Sequence, residues 1–272
     1  MPPKINAAFV EKILVSFIRD ELGRCGYKHG LIGLSGGLDS AVCAALATRA
    51  LGPDHVFGLI MPYGTAFPGD IRDALALSRK LGIHAETIDI SPQIDAYFAA
   101  HPTMNRVQRG NKMARERMAI LYDHSVRKSA LVLGTSNKSE LLIGYGTIYG
   151  DLACAINPVG DLYKTQIRDL AAHLRIPAAI RRKVPTAGLW PRQTDEADIG
   201  FTYEELDAIL FEIVEDRKTR REVIEAGHPA AAVDRVFGMI RRSGFKRMMP
   251  PIAKLSTRSV GHDFLYPHDR EM

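Results

Sequence analysis

Cysteine is scarce. The chain of 272 residues has three, Cys25, Cys43 and Cys154, scattered and without a CxxC pair. Such a set supports neither a disulfide framework nor a zinc site and points to a reducing compartment. Long apolar runs are also missing: none approaches the roughly 18 residues of a membrane span. The opening stretch, MPPKINAAFVEKILVSFIRDEL, breaks its apolar residues with acids and lacks the unbroken core of a signal peptide. The cytoplasm of a bacterium or archaeon is the expected setting, with no membrane partner.

Dense charge of one sign is lacking too. The formal net charge is +5 and the pI about 9.1, yet the basic residues are dispersed. Their tightest groups, Arg181-Arg182-Lys183, Arg241-Arg242 and Lys246-Arg247, read as solvated surface. The excess favours anionic small molecules and is too diffuse to argue for nucleic acid. Two nucleotide fingerprints are absent. Without GxxxxGK[ST] the chain has no kinase or GTPase P-loop, and without GxGxxG a dinucleotide-redox loop is unsupported. There is no internal repeat and no low-complexity segment.

What is present suits a globular chain with a real core: 46% of residues are hydrophobic and 25% charged. The length suits a single domain spanning 1–272, with an irregular tail from about 245. Phe9, Val10, Ile13, Leu14, Phe17, Ile18 and Leu22 predict a helix over 5–24 with a wide buried face. Apolar runs at 29–34, 55–61, 84–90 and 130–134 read as strands. Helical patterns at 38–50, 69–81 and 105–128 lie between them, and further helices are expected at 164–175 and 203–216. From Arg217 onward, charge and proline suggest short helices and irregular chain. Alternating strands and helices give an α/β fold: a doubly wound, mostly parallel sheet with helices on both faces. Ligands of such sheets sit at the carboxyl ends of strands, here at 35–40, 61–65 and 134–140.

The first of these segments is SGGLDS, Ser35 to Ser40. Its glycines let backbone approach a ligand, and the helix that follows turns free N–H groups toward it. Ser35 and Ser40 add hydroxyls. Asp39 would repel an anion unless a divalent cation bridges the two. The plain alternative is a capped strand–helix turn. The pattern resembles the pyrophosphate loop of the ATP pyrophosphatases, which cleave ATP between the α and β phosphates to activate an oxygen as an adenylate. That superfamily includes NAD, GMP, asparagine and argininosuccinate synthetases and several tRNA-modifying enzymes.

Further segments select one branch. RGNKMARERM (Arg109–Met118) places Asn111 and Arg115 on one helix face, with small Gly110 and Ala114 that would admit another backbone. LGTSNKSELLIGYGTIYGD (Leu133–Asp151), NPVGDLYKTQIRDLAAHLRIP (Asn157–Pro177) and VPTAGLWPRQTDEADIGFTYEELDAIL (Val184–Leu210) continue the pattern. Together they resemble NAD synthetases over residues 5 to about 255. The loop motifs resemble most the synthetase half of the glutamine-dependent forms, although no glutaminase domain fits ahead of residue 5.

The resemblance implies an adenine-nucleotide α-hydrolase-like fold and an ammonia-dependent ligase. Such an enzyme amidates nicotinic acid adenine dinucleotide to NAD and releases AMP and pyrophosphate. It assigns ATP to Gly33, Leu34, Ser35, Gly36, Gly37, Leu38, Asp39, Ser40, Met61, Thr135, Lys164 and Thr186. Mg²⁺ falls to Asp39 and Glu140, and the deamidated dinucleotide to Arg115 and Lys246. Asp39 and Lys164 are assigned to catalysis, with Asp151 as a candidate base because it lies in the matched loop. A lysine opening a helix is electrostatically odd, and a phosphate nearby would relieve it. QTDE (Gln193–Glu196) is marked by resemblance alone. Two dinucleotide contacts are missing where Ile148 and Ala155 stand, and Phe245 replaces a histidine. The resemblance also implies a homodimer, with ammonia either free or delivered by a separate glutaminase. The rivals are a tRNA-modifying ATP pyrophosphatase and a non-catalytic nucleotide sensor. No cysteine has a glutaminase setting. Cys43 is expected to be buried and inert, and Cys154 to lie in the loop near the dinucleotide.

Overall fold

The computed structural model describes residues 1–64, 68–190 and 192–259; the end of the expected C-terminal tail lies outside them. Four parallel strands form the sheet: β1 (His29–Gly33), β2 (Val56–Ile60), β3 (His84–Thr87) and β4 (Ala130–Val132). Their order is β3-β2-β1-β4, so the chain winds outward from β1 in one direction and then returns to its other side. Pairing runs past the strands at both edges. Ile88 N–H donates to the Ile60 carbonyl, and Leu133 bridges in parallel to Ile156.

Twelve α-helices accompany the sheet among the described residues. Those of the wound part are α1 (Ala7–Arg24), α2 (Leu38–Leu51), α3 (Pro68–Leu81), α4 (Ser91–Ala100) and α5 (Arg106–Lys128). They are followed by α6 (Lys138–Ile143), α7 (Lys164–His173), α8 (Ala178–Arg181), α9 (Asp195–Ile199), α10 (Tyr203–Val214), α11 (Arg220–Glu225) and α12 (Ala230–Arg242). Strand side chains alternate between faces. Ile32 and Ile60 join one apolar cluster with α1, α2 and α7, while Leu31 and Leu59 join another with α4 and α5. Helix α2 is buried from Ser40 through Ala47 because it packs on the sheet, α1 and α7 at once; its alanines permit that close approach. Cys43 lies in this helix, fully buried as its apolar neighbours imply.

A third cluster joins Ile143 and Tyr163 to α9, α10, α11 and α12. The charged stretch after Arg217 thus contains a 13-residue helix, α12, seated by Val233 and Val236. Its charges occupy the outer face and conceal the pattern. Helix α1 corrects the sequence expectation in the opposite sense. Ile18 and Leu22 are fully buried, but Phe9, Ile13 and Phe17, four residues apart along one stripe, are exposed. Apolar periodicity locates a helix and a face, and it is silent on whether the same chain covers all of that face.

The third cluster is fastened to α7 by a buried polar staple. Asp207 of α10 accepts from the Ser139 hydroxyl of α6 and from the Thr165 amide and hydroxyl of α7, the last two at 2.9 and 2.8 Å. Burial raises the Asp207 carboxyl's pKa against these donors, which pull it down. Asp207→Ala leaves three donors without an acceptor. The unfolding free energy should fall by about 3 kcal/mol, the scale of unpaired buried groups. A urea titration checks this, and an unchanged midpoint would show that the staple contributes nothing.

Candidate active site

The order β3-β2-β1-β4 puts the switch point between β1 and β4, where an open parallel sheet forms its crevice. The loop SGGLDS leaves β1 there and Gly134-Thr135 leaves β4. Both line a cavity of about 1080 Å³. The wall includes every residue assigned to ATP from sequence except Gly36, from Gly33 through Ser40 to Met61, Thr135, Lys164 and Thr186. Gly36 turns away. Its φ of +76° is the left-handed region, and a Cβ there would lie 2.4 Å from the Asp70 carbonyl oxygen, so only glycine fits. Ser35 and Ser40 hydroxyls lie 3.1 Å apart, and Gly37 N–H donates to Ser35 Oγ at 3.2 Å.

At the floor of the cavity Lys164 gathers the acids. Its side chain is 4% exposed; Nζ lies 2.5 Å from Asp39 Oδ2 and 3.3 Å from Glu140 Oε1. Burial opposes its charge, but Asp39, Glu140 and Asp195 hold its pKa above the ordinary lysine value. The oddity of a lysine in the first turn of α7 is thereby resolved by carboxylates. Asn137 completes the arrangement. It caps α6 by accepting from Glu140 N–H, takes Glu140's carboxylate on its own N–H, and donates Nδ2 to Asp39 Oδ1 at 3.0 Å. Glu140 is therefore a capping-box acid and a site acid together. Burial pushes its carboxyl's pKa up, Lys164 pulls it back, and repulsion from Asp39 and Asp195 adds to the rise.

The segment QTDE has a place here. Asp195 is the third acid near Lys164, accepting from the Tyr145 and Tyr203 hydroxyls at 3.0 and 3.1 Å. Gln193 donates to Asp198 at 2.8 Å, and Asp198 also accepts from Tyr145. Burial first, and the acids second, raise both tyrosines' pKa values, so they remain neutral donors. Tyrosines far apart in sequence gave no signal of this network.

One face of α5 holds the loop that follows α6. Asn111 Oδ1 accepts from Thr147 Oγ1 at 2.7 Å, and Arg115 Nε donates to the Ile148 carbonyl at 3.3 Å. Arg115 is exposed and stands outside the cavity wall, whereas Arg117, which the sequence reading passed over, lines it. Burial lowers the Arg117 pKa to about 10, and its Nε donates to the Met61 carbonyl at 2.9 Å. Lys246 lines the wall and ties the same loop, donating to the Gly144 and Gly146 carbonyls at 2.8 and 2.7 Å. Asp151 lines the wall too, where its Oδ1 takes the Thr147 amide at 2.8 Å and burial raises its carboxyl's pKa against the hydrogen bonds it accepts. Small residues at Gly110 and Ala114 were expected to admit backbone. At Gly110 the visitors are instead the side chains of Leu189 and Trp190. Ile148, Ala155 and Phe245 line no part of this wall. Lys183, read as surface alongside Arg181 and Arg182, is a wall residue in two ion pairs, with Asp70 and Asp73.

Known proteins resemble this chain over nearly its whole length. The family model described as NAD synthase matches residues 10–250. A Chlorobium phaeobacteroides protein named NH(3)-dependent NAD(+) synthetase is 51% identical over 97% of this chain and 96% of its own. Among solved structures, the NH3-dependent NAD synthetase of Campylobacter jejuni matches with a TM-score of 0.80 at 34% identity, over 92% of this chain and 100% of that one. The NMN synthetase of Francisella tularensis matches with a TM-score of 0.82 at 35% identity, over 92% and 99%.

Lys164→Met leaves Asp39, Glu140 and Asp195 facing one another without their cation. Breaking a buried pair in this way should lower the unfolding free energy by about 3 kcal/mol or more. Denaturant titration of the ligand-free protein measures it, and a parental midpoint would show that the lysine does not hold the acids.

Proposed function

The chain belongs to the NAD synthase family, and on that premise we propose that it amidates nicotinic acid adenine dinucleotide to NAD. The reaction uses ATP and ammonia and releases AMP and pyrophosphate. The observation that carries this reading is Lys164 poised between Asp39 and Glu140 beside the SGGLDS loop. The cavity, about 1080 Å³, exceeds the roughly 300–1,000 Å³ of a pocket for one small ligand and suits two nucleotides.

In this reading the nicotinate carboxylate attacks the α-phosphorus and pyrophosphate leaves. Amides of residues 37–40 with the Ser35 and Ser40 hydroxyls hold the leaving group, Thr135 and Thr186 fix the nucleotide, and Lys164 offsets the developing charge. Ammonia then displaces AMP from the adenylate carbon. Asp151, which lines the cavity in the matched loop, is the candidate base that would take a proton from the attacking nitrogen. Asp39 and Glu140 suit Mg²⁺: hard oxygen donors, two in number, facing a phosphate loop. Among the described residues no three His, Cys, Asp or Glu side chains converge as a ready-made cage. Mg²⁺ characteristically takes one or two carboxylates with phosphate oxygens and water. When bound it would supply positive charge to the leaving phosphates.

A homodimer is supported by α5, where Arg115, Ala119, Tyr122 and Val126 make an exposed stripe at helical spacing. Arg115 would then meet the dinucleotide near the partner surface, with Lys246 acting from within the cavity. No helix among the described residues is long and apolar enough to cross a membrane, and the three free cysteines fit the cytoplasm. The likeness to an NMN synthetase favours one second reading, in which the acceptor is the corresponding mononucleotide.

The purified chain should form NAD from ammonium and not from ammonia-free glutamine. Pyrophosphate release should require ATP, ammonium and the deamidated dinucleotide together. Comparable rates with glutamine would overturn the nitrogen assignment, and a higher kcat/KM with the mononucleotide would transfer the acceptor assignment to it. Asp39→Ala and Glu140→Ala should each abolish Mg²⁺-dependent turnover. Near-normal activity in either would remove that residue from the metal site.

A further inference from the structure

Lys183 does more than line the cavity. Its ammonium is 2.9 Å from the Gly36 carbonyl oxygen, 2.7 Å from Asp70 Oδ1 and 2.7 Å from Asp73 Oδ2. The three acceptors come from the SGGLDS loop and from α3, and the lysine opens the segment that carries Thr186. A peptide group is planar, and this one is trans, so its carbonyl and its N–H point opposite ways. A grip on the Gly36 oxygen therefore sets the direction of the Gly37 N–H. That N–H points to Ser35 Oγ, on the wall of the cavity, while Gly36 itself is off the wall.

The sequence explains why such a grip is needed. Rotating the Gly36–Gly37 peptide by half a turn changes ψ of one glycine and φ of the next. With no Cβ on either residue, neither rotamer is sterically excluded. Left alone, the loop has two orientations. One presents an N–H to an anion, and the other presents a carbonyl oxygen, which repels it. Asp70 and Asp73 hold the ammonium where it selects the first.

We infer that Lys183 is a positioning residue that fixes the Gly36–Gly37 peptide with its amide toward the departing pyrophosphate. This rests on residues 35–40 being the pyrophosphate loop.

The probe is inorganic pyrophosphate as an inhibitor competing with ATP, with AMP inhibition as the internal reference. Lys183→Met should weaken pyrophosphate inhibition about tenfold, the scale of one lost charge-assisted hydrogen bond, and raise KM for ATP. AMP inhibition should stay unchanged, and Lys183→Arg should restore most of the loss. A direct contact between Lys183 and phosphate predicts the opposite sign for Asp70→Asn. Freeing the lysine from its acid would tighten pyrophosphate binding in that case; positioning predicts that it weakens. The inference falls if Lys183→Met leaves pyrophosphate inhibition intact, if it weakens AMP and pyrophosphate equally, or if Asp70→Asn tightens pyrophosphate. Asp70→Asn decides the matter should the Met variant fail to fold. A parent protein that turns over yet resists pyrophosphate would instead overturn the assignment of the loop itself.

Discussion

The structure depends on a buried ammonium. Lys164 arrives on α7, Asp39 on α2 and Glu140 on α6, and none of these charges is stable at its depth without the others. Burying a lysine alone would drive it to neutrality, and burying the acids alone would protonate them. Placed within hydrogen-bond distance, they hold three segments of chain at the switch point of the sheet. Asn137 makes the attachment directional because it caps α6 with one end and grips Asp39 with the other. The atoms that hold these segments together are thus the ones to which the proposed chemistry falls, and the acids exceed the lysine in number. That surplus of negative charge is what a cation brought in with a phosphate ligand would find.

Much of this was legible in the sequence, for physical reasons that differ by element. The inner strands β1 and β2 announced themselves because both faces of such a parallel strand are covered, so that GLI and VFGLI read as short apolar runs between helices. The loop at 35–40 was legible because glycines, hydroxyls and an acid stand together at the end of a strand, and the structure puts that loop, Gly36 apart, on the wall of the cavity. The resemblance to NAD synthetases then supplied partners that no local reading gives. Glu140 was marked by the resemblance as a second metal acid, and the structure shows in addition that it closes the capping box of α6.

What stayed hidden was long-range. The tyrosine pair that serves Asp195 lies at 145 and 203, and nothing local joins them. Lys183 was hidden by company: within Arg-Arg-Lys it looks like surface, yet only its neighbours are exposed. The stripe of Phe9, Ile13 and Phe17 misled in the other direction, because periodicity measures chemistry along a helix and says nothing of the supply of chain to cover it.

One consequence concerns time. Lys164 stands 125 residues after Asp39. At the roughly 5–20 residues per second of ribosomal synthesis, that interval lasts on the order of ten seconds. Throughout it the nascent chain holds the glycine loop and its acid without their counter-ion. The helix after β1 can wind, and β1 and β2 can pair, but the crevice cannot close its charge balance. A truncated product released at that stage contains the nucleotide motif in full and none of the electrostatic clasp. The clasp can therefore close only late in synthesis, after α7 has left the ribosome, and the part of the wall that carries Lys183, Thr186 and Lys246 follows later still.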